Sequence, residues 1–157
     1  MAVTADGMDA LQRKLAAMQE RARDLSPVLE VAAADTVSLI DDAFESSTSP
    51  AGMSWEDLKP ATKKRRRGVA PYKVLVDTGR LRGSVNSRVE GSSLKFGTNA
   101  GYGIFHQFGT SRMVDRPFLP IDGEPGSTTL GKSGFSAAHW TRVLAMIKRY
   151  ILTGEVV

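Results

Sequence analysis

The side chains best suited to chemistry in this 157-residue chain form one basic run. Its five adjacent cations repel one another and favour solvent or an anionic partner; they are Lys63, Lys64, Arg65, Arg66 and Arg67. Three interpretations stay open: a solvated loop, a nucleic-acid contact, and contact with an acidic protein surface such as the helices of a neighbouring copy. No aromatic residue lies within the run to stack on bases, which disfavours recognition of single strands. Binding of duplex nucleic acid by all five charges would lower log K with log salt at a slope of roughly −4.5.

Patterns for catalysis or metal binding are missing from the sequence. His106 and His139 are far apart, neither has a carboxylate at ligand spacing, and the chain contains no cysteine. For His106 we expect a buried, hydrogen-bonded or interface role, and His139 should be exposed at the start of the last helix. The carboxylates cluster near the N-terminus, where an exposed helix face explains them better than an acid–base pair. The sequence therefore predicts no enzyme and no cofactor.

Charge is distributed unevenly along the chain. The net charge is +4, but residues 1–58 have a balance of −7 and residues 59–157 a balance of +11. No apolar run approaches the ~20 residues needed to span a bilayer, and the first residues lack the pattern of a secretory signal. We therefore expect a soluble protein, cytosolic where it is made, with no membrane partner. The length predicts one domain, residues 1–157.

The elements around the basic run include a predicted β-hairpin. Val74–Val76 predicts a short buried extended segment, and Asp77–Gly79 supplies turn chemistry, since glycine tolerates a positive φ. Alternation over residues 84–89 predicts a half-buried strand. A second strand is predicted over residues 93–98, joined to the first by a tight turn at Gly91-Ser92.

Two helices are predicted before the basic run. An apolar stripe from Met8 to Leu25 indicates the first helix. Ser26-Pro27 is typical of an N-cap followed by the first helical residue, and the second helix should run to about Phe44. The opposite side of this second helix is acidic, which is consistent either with a solvated face or with a docking face for a basic partner.

Two long irregular segments separate the remaining elements. Residues 45–71 predict a long loop pinned to the body by Trp55 and Leu58, and residues 110–134 an extended arm whose prolines exclude a central strand. Residues 102–108 predict a short helix, and a last helix should begin near Ser136, with an apolar stripe at Trp140, Leu144, Ile147 and Ile151. The predicted fold class is α+β: two N-terminal helices and a C-terminal helix packed on a small antiparallel sheet, with long loops.

Five short motifs follow one another between residues 49 and 120. They are Ser49–Gly52 with Trp55 and Leu58; Leu75–Ser84; Phe96–Thr98; Tyr102 with His106–Gly109; and Arg116–Leu119. In this order they resemble the tailed-phage virion morphogenesis family, of the Mu protein G type, which is related to tail-completion proteins. The sequence departs from that pattern at residues 113–115, where similar proteins tend to carry a proline. The basic run at residues 63–67 is also more basic than in similar proteins, so the resemblance implies no role for it.

The resemblance implies a non-enzymatic assembly protein of the neck or the head-proximal tail end, which completes the tail or joins it to the head. Implied partners are copies of itself in a ring, neck or connector proteins, and tail terminator or tail tube proteins; the location would be the virion, with the host cytoplasm during assembly. The candidate interface residues are those of the motifs: Trp55, Thr78, Gly79, Arg80, Leu81, Arg82, Ser84, Tyr102, His106, Gln107, Phe108, Gly109, Arg116, Pro117, Phe118 and Leu119.

Three hypotheses follow for how these residues act. Arg80, Arg82 and Arg116 are expected to contact anions or carbonyl groups, and Phe118 with Leu119 to anchor the arm in an apolar pocket in cis or on a neighbour. The acidic N-terminal helices of one copy would face the basic 59–82 region of the next, a heterologous contact that can close into a ring. The alternative function is a nucleic-acid-binding module that uses residues 63–67, for instance on DNA passing through the neck.

Overall fold

The computed structural model describes residues 5–66, 71–121 and 137–156. Within these residues the predicted α+β class is confirmed. The elements are α1 (Ala5–Arg23), α2 (Ser26–Ser46), α3 (Pro60–Arg65), α4 (Arg80–Gly83), β1 (Val85–Glu90), β2 (Ser93–Thr98), α5 (Gly103–Phe108) and α6 (Ala137–Thr153). In the described part of the chain, no helix combines the length and the apolar character needed to cross a membrane.

The predicted hairpin is confirmed. β1 and β2 pair antiparallel, with Val85 opposite Thr98 and Glu90 opposite Ser93, so Gly91 and Ser92 form the turn. Burial alternates along β1, as expected for strands with one covered face. Because a two-stranded sheet is marginal alone, it needs a covering layer, and α2 supplies it by contacting both strands.

α2 is the central helix of the fold. Residues spaced three and four apart, from Val28 to Phe44, form its buried face, and α6 packs against it. The predicted N-cap is wrong by one position: Leu25 is the N-cap residue, and the Ser26 side chain makes no capping bond. The side chain of Asp24 takes that role, because its Oδ1 accepts a hydrogen bond from the Ser26 amide at 3.0 Å.

α6 turns a different face inward from the predicted stripe. His139, Val143 and Tyr150 are its buried residues, whereas Trp140 and Leu144 are nearly half exposed. The expectation that His139 would be exposed is therefore wrong. Its Nε2 lies 2.9 Å from the hydroxyl oxygen of Thr36 on α2, and a buried threonine needs such a polar partner.

α1 is a predicted helix with an unexpected environment. Every side chain from Gly7 to Ala17 is exposed. The helix is tied to α6 near its C-terminal end, where the Arg21 guanidinium donates to the carbonyl oxygens of Tyr150 and Ile151. The first half of the apolar stripe of α1, Met8, Leu11 and Leu15, therefore lacks a covering surface among the described residues.

The aromatic core lies where the irregular segments meet α2. The Phe44 ring packs against Trp55 at a centroid distance of 5.7 Å and against Phe118 at 5.6 Å. Phe44 and Phe118 have no exposed surface. The arm, defined from here on as residues 110–121, is thus anchored in cis, which decides between the two alternatives left open for Phe118.

Two predictions for the irregular segments are wrong. The loop predicted over residues 45–71 contains α3, so the basic run lies partly on a helix. Val74–Val76 forms a turn rather than an extended segment, with Leu75 at a φ of 60°. Among the described residues no strand lies beside it, and the carbonyl oxygens of Lys73 and Val76 accept hydrogen bonds from Arg66 instead. Residues 67–70 and 122–134, which include Arg67 and the end of the predicted arm, lie outside the described residues.

We expect Phe118→Ala to lower the free energy of unfolding by about 3–5 kcal/mol, because it empties a fully buried site beside the Phe44 ring. The matched control is Val114→Ala on the same arm, where the side chain is 45% exposed and the cost should stay within about 0.5 kcal/mol. Urea unfolding measures both. Equal losses in the two variants would show that the arm is not anchored through Phe118.

Candidate assembly surface

The side chain of Gln107 clamps the arm to α5. Its Oε1 accepts hydrogen bonds from the amides of Phe118 at 3.0 Å and Leu119 at 2.9 Å, and its Nε2 donates to the Leu119 carbonyl oxygen at 3.2 Å. Gln107 is 5% exposed. One buried amide therefore does for the arm what a neighbouring strand would do, since it satisfies three backbone groups that have no ladder partner.

Further contacts tie the arm to the segment after α2. The Trp55 indole Nε1 donates to the Pro117 carbonyl oxygen at 3.0 Å, and the Arg116 guanidinium donates to the carbonyl oxygens of Glu56 and Asp57. The Arg116 amide donates to the His106 carbonyl oxygen at 2.6 Å. The structure thus places Trp55, Arg116 and Pro117 in contacts within one chain.

The turn after Val76 leads into α4 and directs its arginines in two directions. Gly79 precedes the helix at a φ of 76°, a conformation that L side chains rarely adopt, which explains glycine there. Arg82 points to α2, where it binds Asp41 in a bidentate pair (Nη2–Oδ2 2.6 Å) and also contacts Glu45. Arg80 makes no ion pair among the described residues and lies exposed.

These ion pairs change the charge of α2 and the acidity of its carboxyl groups. Hydrogen bonding from Arg82 lowers the pKa of Asp41. For Glu45 the hydrogen bond from Lys73 is the largest cause of a lowered pKa, followed by that from Arg82. Asp35 pairs with Arg142 of α6. Much of the acidic face of α2 is therefore neutralised within the chain.

The basic run divides into partnered and unpartnered cations. Lys63 pairs with Asp57, and Arg66 is largely buried where it meets Asp77 and two backbone carbonyls. Lys64 and Arg65 are exposed and make no ion pair within the described residues. The run is therefore not a uniform patch of five free charges; Arg66 is a structural side chain.

An open cleft of about 460 Å³ lies between these segments. We call it the arginine cleft. Its walls come from four parts of the chain and carry five cations and two carboxylates. The cations are Lys59, Arg66, Arg80, Arg112 and Arg116, the carboxylates are Glu56 and Asp77, and the apolar lining includes Leu58, Leu75, Leu81, Met113 and Val114.

His106 and Tyr102 line one side of the arginine cleft. Their rings meet edge to face at a centroid distance of 5.9 Å. Burial lowers the pKa of His106, and the charge of Arg116 lowers it further, so both favour the neutral imidazole. The His106 Nδ1 atom is buried and makes no hydrogen bond within the described residues.

The predicted site residues separate into two groups. Thr78, Gly79, Arg80, Leu81, Tyr102, His106 and Arg116 meet around the arginine cleft. Others serve the fold: Gln107, Phe118 and Leu119 form the clamp, Arg82 holds α2, and Ser84 contacts Thr98 across the hairpin at 2.6 Å. Phe108 is half-buried at the end of α5, where Gly109 follows at a φ of 69°; a Cβ on Gly109 would lie 2.9 Å from the Asp115 amide. Within residues 5–66, 71–121 and 137–156, no group of three or more acidic or imidazole side chains is arranged to hold a metal ion.

Sequence reasoning missed the clamp and the cleft. The spacing of residues 102–108 predicts a short helix but not which of its faces is buried. In the structure Gly103 and Gln107 are buried, whereas Ile104 and Phe105 are about half exposed. A signal existed in the spacing: Gly103 and Gln107 are four apart, and a glycine lets a helix approach its neighbour closely.

Comparison with known families decides the identity. The sequence matches the phage virion morphogenesis family over residues 6–150. The chain belongs to this family. Family membership supports a structural or assembly role in phage virions rather than a catalytic one. The match includes the arm, α5 and the turn before α4, so the arginine cleft is built within the family region. No curated protein and no solved structure matches the chain.

We expect Gln107→Leu to destabilise the protein by about 1–3 kcal/mol for each of the two amides, Phe118 and Leu119, that lose their acceptor. Gln19→Leu on exposed α1 is the matched control and should change the free energy of unfolding by no more than about 0.5 kcal/mol. Urea midpoints report both. A Gln107→Leu variant as stable as the control would show that the hydrogen bonds of Gln107 do not stabilise the arm.

Replacing Arg82 should raise the pKa of Asp41 toward its ordinary value, and that of Glu45 less, because Lys73 still binds Glu45. Both pKa values are lowered by folding, so the stabilisation is present above about pH 4 and is lost as the pH falls through the folded-state values. Carboxyl ¹³C NMR titration of Arg82→Gln measures the shift. Arg80→Gln, two residues away and unpaired, should leave both values unchanged; equal shifts in the two variants would contradict the assignment.

Proposed function

We propose that this protein is a building part of the neck or the head-proximal end of the tail, where copies of it form a ring that completes the tail or joins it to the head. The observation that carries the proposal is the meeting of family-region motif residues around one open, cation-rich cleft. Arg80 and Arg116 are distant in sequence, yet both line it. Such a mixed apolar and arginine-rich surface resembles the centre of a protein interface, where aromatic residues and arginine are enriched.

Ion pairs within the chain reduce the number of carboxylates that are free to contact a second copy. Asp35, Asp41 and Glu45 on α2 already have cationic partners in cis. The hypothesis that the acidic helices of one copy face the basic 59–82 region of the next is therefore confined to the carboxylates that have no such partner in the described part of the chain, which include Asp9 on α1. On the basic side, Arg80 and Arg112 fit the role of receiving cations.

Light scattering over a series of ionic strengths tests the proposed ring. We expect an oligomer that dissociates as salt is raised, because contacts between exposed charges are screened within about 8–10 Å at ordinary ionic strength. Arg80→Glu combined with Arg112→Glu should shift this equilibrium toward monomer at every salt concentration. Lys148→Glu on α6 is the control for an added negative charge. A chain that stays monomeric at high concentration would contradict the ring.

The second candidate function, a nucleic-acid contact through the basic run, is favoured by one observation: Lys64 and Arg65 are exposed without ion pairs in the described structure. The double variant Lys64→Ser with Arg65→Ser separates the two functions. It leaves Arg66 in place, whose guanidinium donates to the backbone carbonyl oxygens of Lys73 and Val76. Under our proposal the double variant still assembles. If the run binds duplex DNA, the variant should reduce the slope of log K against log salt by about 1.8. Lys148→Ser with Arg149→Ser is the control.

A further inference from the structure

The hairpin of β1 and β2 has two open edges in the described part of the chain. Its sheet contains these two strands, and among the described residues no third strand pairs with either of them. An edge strand presents a row of backbone N–H and C=O groups that can pair with another chain. Both strands have six residues, an ordinary length for a strand in a larger sheet. The edges are therefore a candidate contact outside the arginine cleft.

The outward-pointing backbone groups of β1 follow from one hydrogen bond at the end of the ladder. The Asn99 amide donates to the Ser84 carbonyl oxygen at 3.3 Å, and these two residues continue the register of the hairpin. Hydrogen-bonded pairs alternate along an antiparallel ladder, so Val85, Ser87 and Val89 direct their backbone groups away from β2. Within the described structure no other segment hydrogen-bonds to the backbone of these three residues.

We propose that β2 of one copy pairs with β1 of the next copy, so that the hairpins of the ring form one continuous antiparallel sheet. This inference rests on the proposed ring and names a contact that closes it. Copies related by rotation about a ring axis point their hairpins in the same direction, so β2 and the neighbouring β1 run antiparallel. The two edges are unlike, and a contact between unlike surfaces can repeat around an axis until it closes.

Charge complementarity selects the register between copies. The exposed face of the hairpin carries Arg88, Glu90 and Lys95, whose side chains are 40–70% exposed. Full overlap of the strands, which is the register within the chain, would place Lys95 directly opposite Arg88 of the next copy. Like charges directly opposite are destabilising. An offset of two residues places Lys95 opposite Glu90 of the next copy, and the same offset in the other direction places it opposite the uncharged Asn86.

The favoured offset also satisfies the geometry of a sheet. Because the offset is even, the faces that pack on α2 stay on the same side of the joined sheet. Residues 95–98 then lie beside residues 87–90 of the next copy, and Lys95 and Glu90 form a non-hydrogen-bonded pair, in which side chains approach most closely. An offset repeated from copy to copy supplies the stagger that a sheet needs in order to close into a barrel.

The hairpin leaves room beside it for such a contact. An open groove of about 460 Å³ is lined by residues 86–88 and 95–99 of the two strands. A Cβ added to Gly97 would have no described atom within 4 Å, so the exposed face is uncovered at this point.

Charge reversal in two separately prepared full-length proteins tests the contact. In Lys95→Glu the introduced carboxylate faces Glu90 of the next copy, and in Glu90→Lys the introduced ammonium group faces Lys95. We expect each protein alone to show a dissociation constant raised about tenfold, because a favourable cross-strand pair becomes a repulsive one. Light scattering over a concentration series measures this. Lys148→Glu on α6 is the control for an added negative charge and should assemble like the unchanged protein.

Mixing the two variants separates a contact between copies from a contact within one hairpin. In an equimolar mixture, alternating copies join the introduced carboxylate to the introduced ammonium group at one interface and Lys95 to Glu90 at the next. We therefore expect the mixture to recover the oligomer. Repulsion inside a single hairpin cannot be relieved by mixing, so recovery reports pairing between copies.

A proline on the outer edge of β1 tests the backbone ladder itself. Ser87→Pro removes an N–H group that points away from β2, and an edge strand tolerates proline where that group faces outward. We expect the dissociation constant of the oligomer to rise about fivefold relative to Ser87→Ala, since one hydrogen bond between copies is lost. Urea unfolding of the two variants checks that the hairpin is intact, and their midpoints should be similar.

The outcomes distinguish this inference from the proposed function. Weakened assembly of each charge variant with recovery in the mixture supports both. A stable oligomer that is indifferent to Lys95→Glu and Glu90→Lys, or variants that the mixture does not rescue, overturn the pairing of the hairpins while the ring stands. Monomers of the unchanged protein at all concentrations overturn the ring and the pairing together.

Discussion

The buried amide of Gln107 is the interaction on which the irregular half of this structure depends. A two-stranded sheet offers few hydrogen-bonding edges, and both the chain between α2 and α4 and the arm have little regular structure to satisfy their backbone. Gln107 meets three backbone groups of the arm at once. Its position lets Phe118 enter the core beside Phe44 and Trp55, so the polar clamp and the apolar anchor stabilise the same segment.

Side chains replace a β-ladder elsewhere in the same way. Arg66 donates to the turn before Asp77, Arg116 to the segment after Trp55, and Trp55 back to the arm. Each bond joins one irregular segment to another. The walls of the arginine cleft are therefore held in place before any partner binds, and a preorganised surface loses less conformational entropy on association than a loop that must be ordered. The exposed half of α1 is the contrasting element.

Local periodicity was enough to predict part of this fold. The hairpin, α2 and the short helix ended by Gly109 follow from alternation, helical spacing and glycine, all of which are short-range signals. The prediction of an extended segment at Val74–Val76 was wrong because an apolar run does not reveal whether a partner strand exists. In the structure Arg66 donates to the carbonyl oxygens of Lys73 and Val76 instead. The prediction that His139 is exposed was wrong because α6 is apolar on two faces, and only its packing on α2 decides which face is buried. The order of the motifs led to the family, but the arginine cleft could not be derived from it, because its walls meet only through the clamp.

The account requires the arm to be held within the single chain rather than ordered by assembly. Amide hydrogen exchange by NMR on the dilute, monomeric protein tests this directly at Phe118 and Leu119, whose amides donate to Gln107. We predict slow exchange at both, with an opening free energy close to that of global unfolding. Exchange at these two amides as fast as at the exposed Val114 and Asp115 would contradict the account.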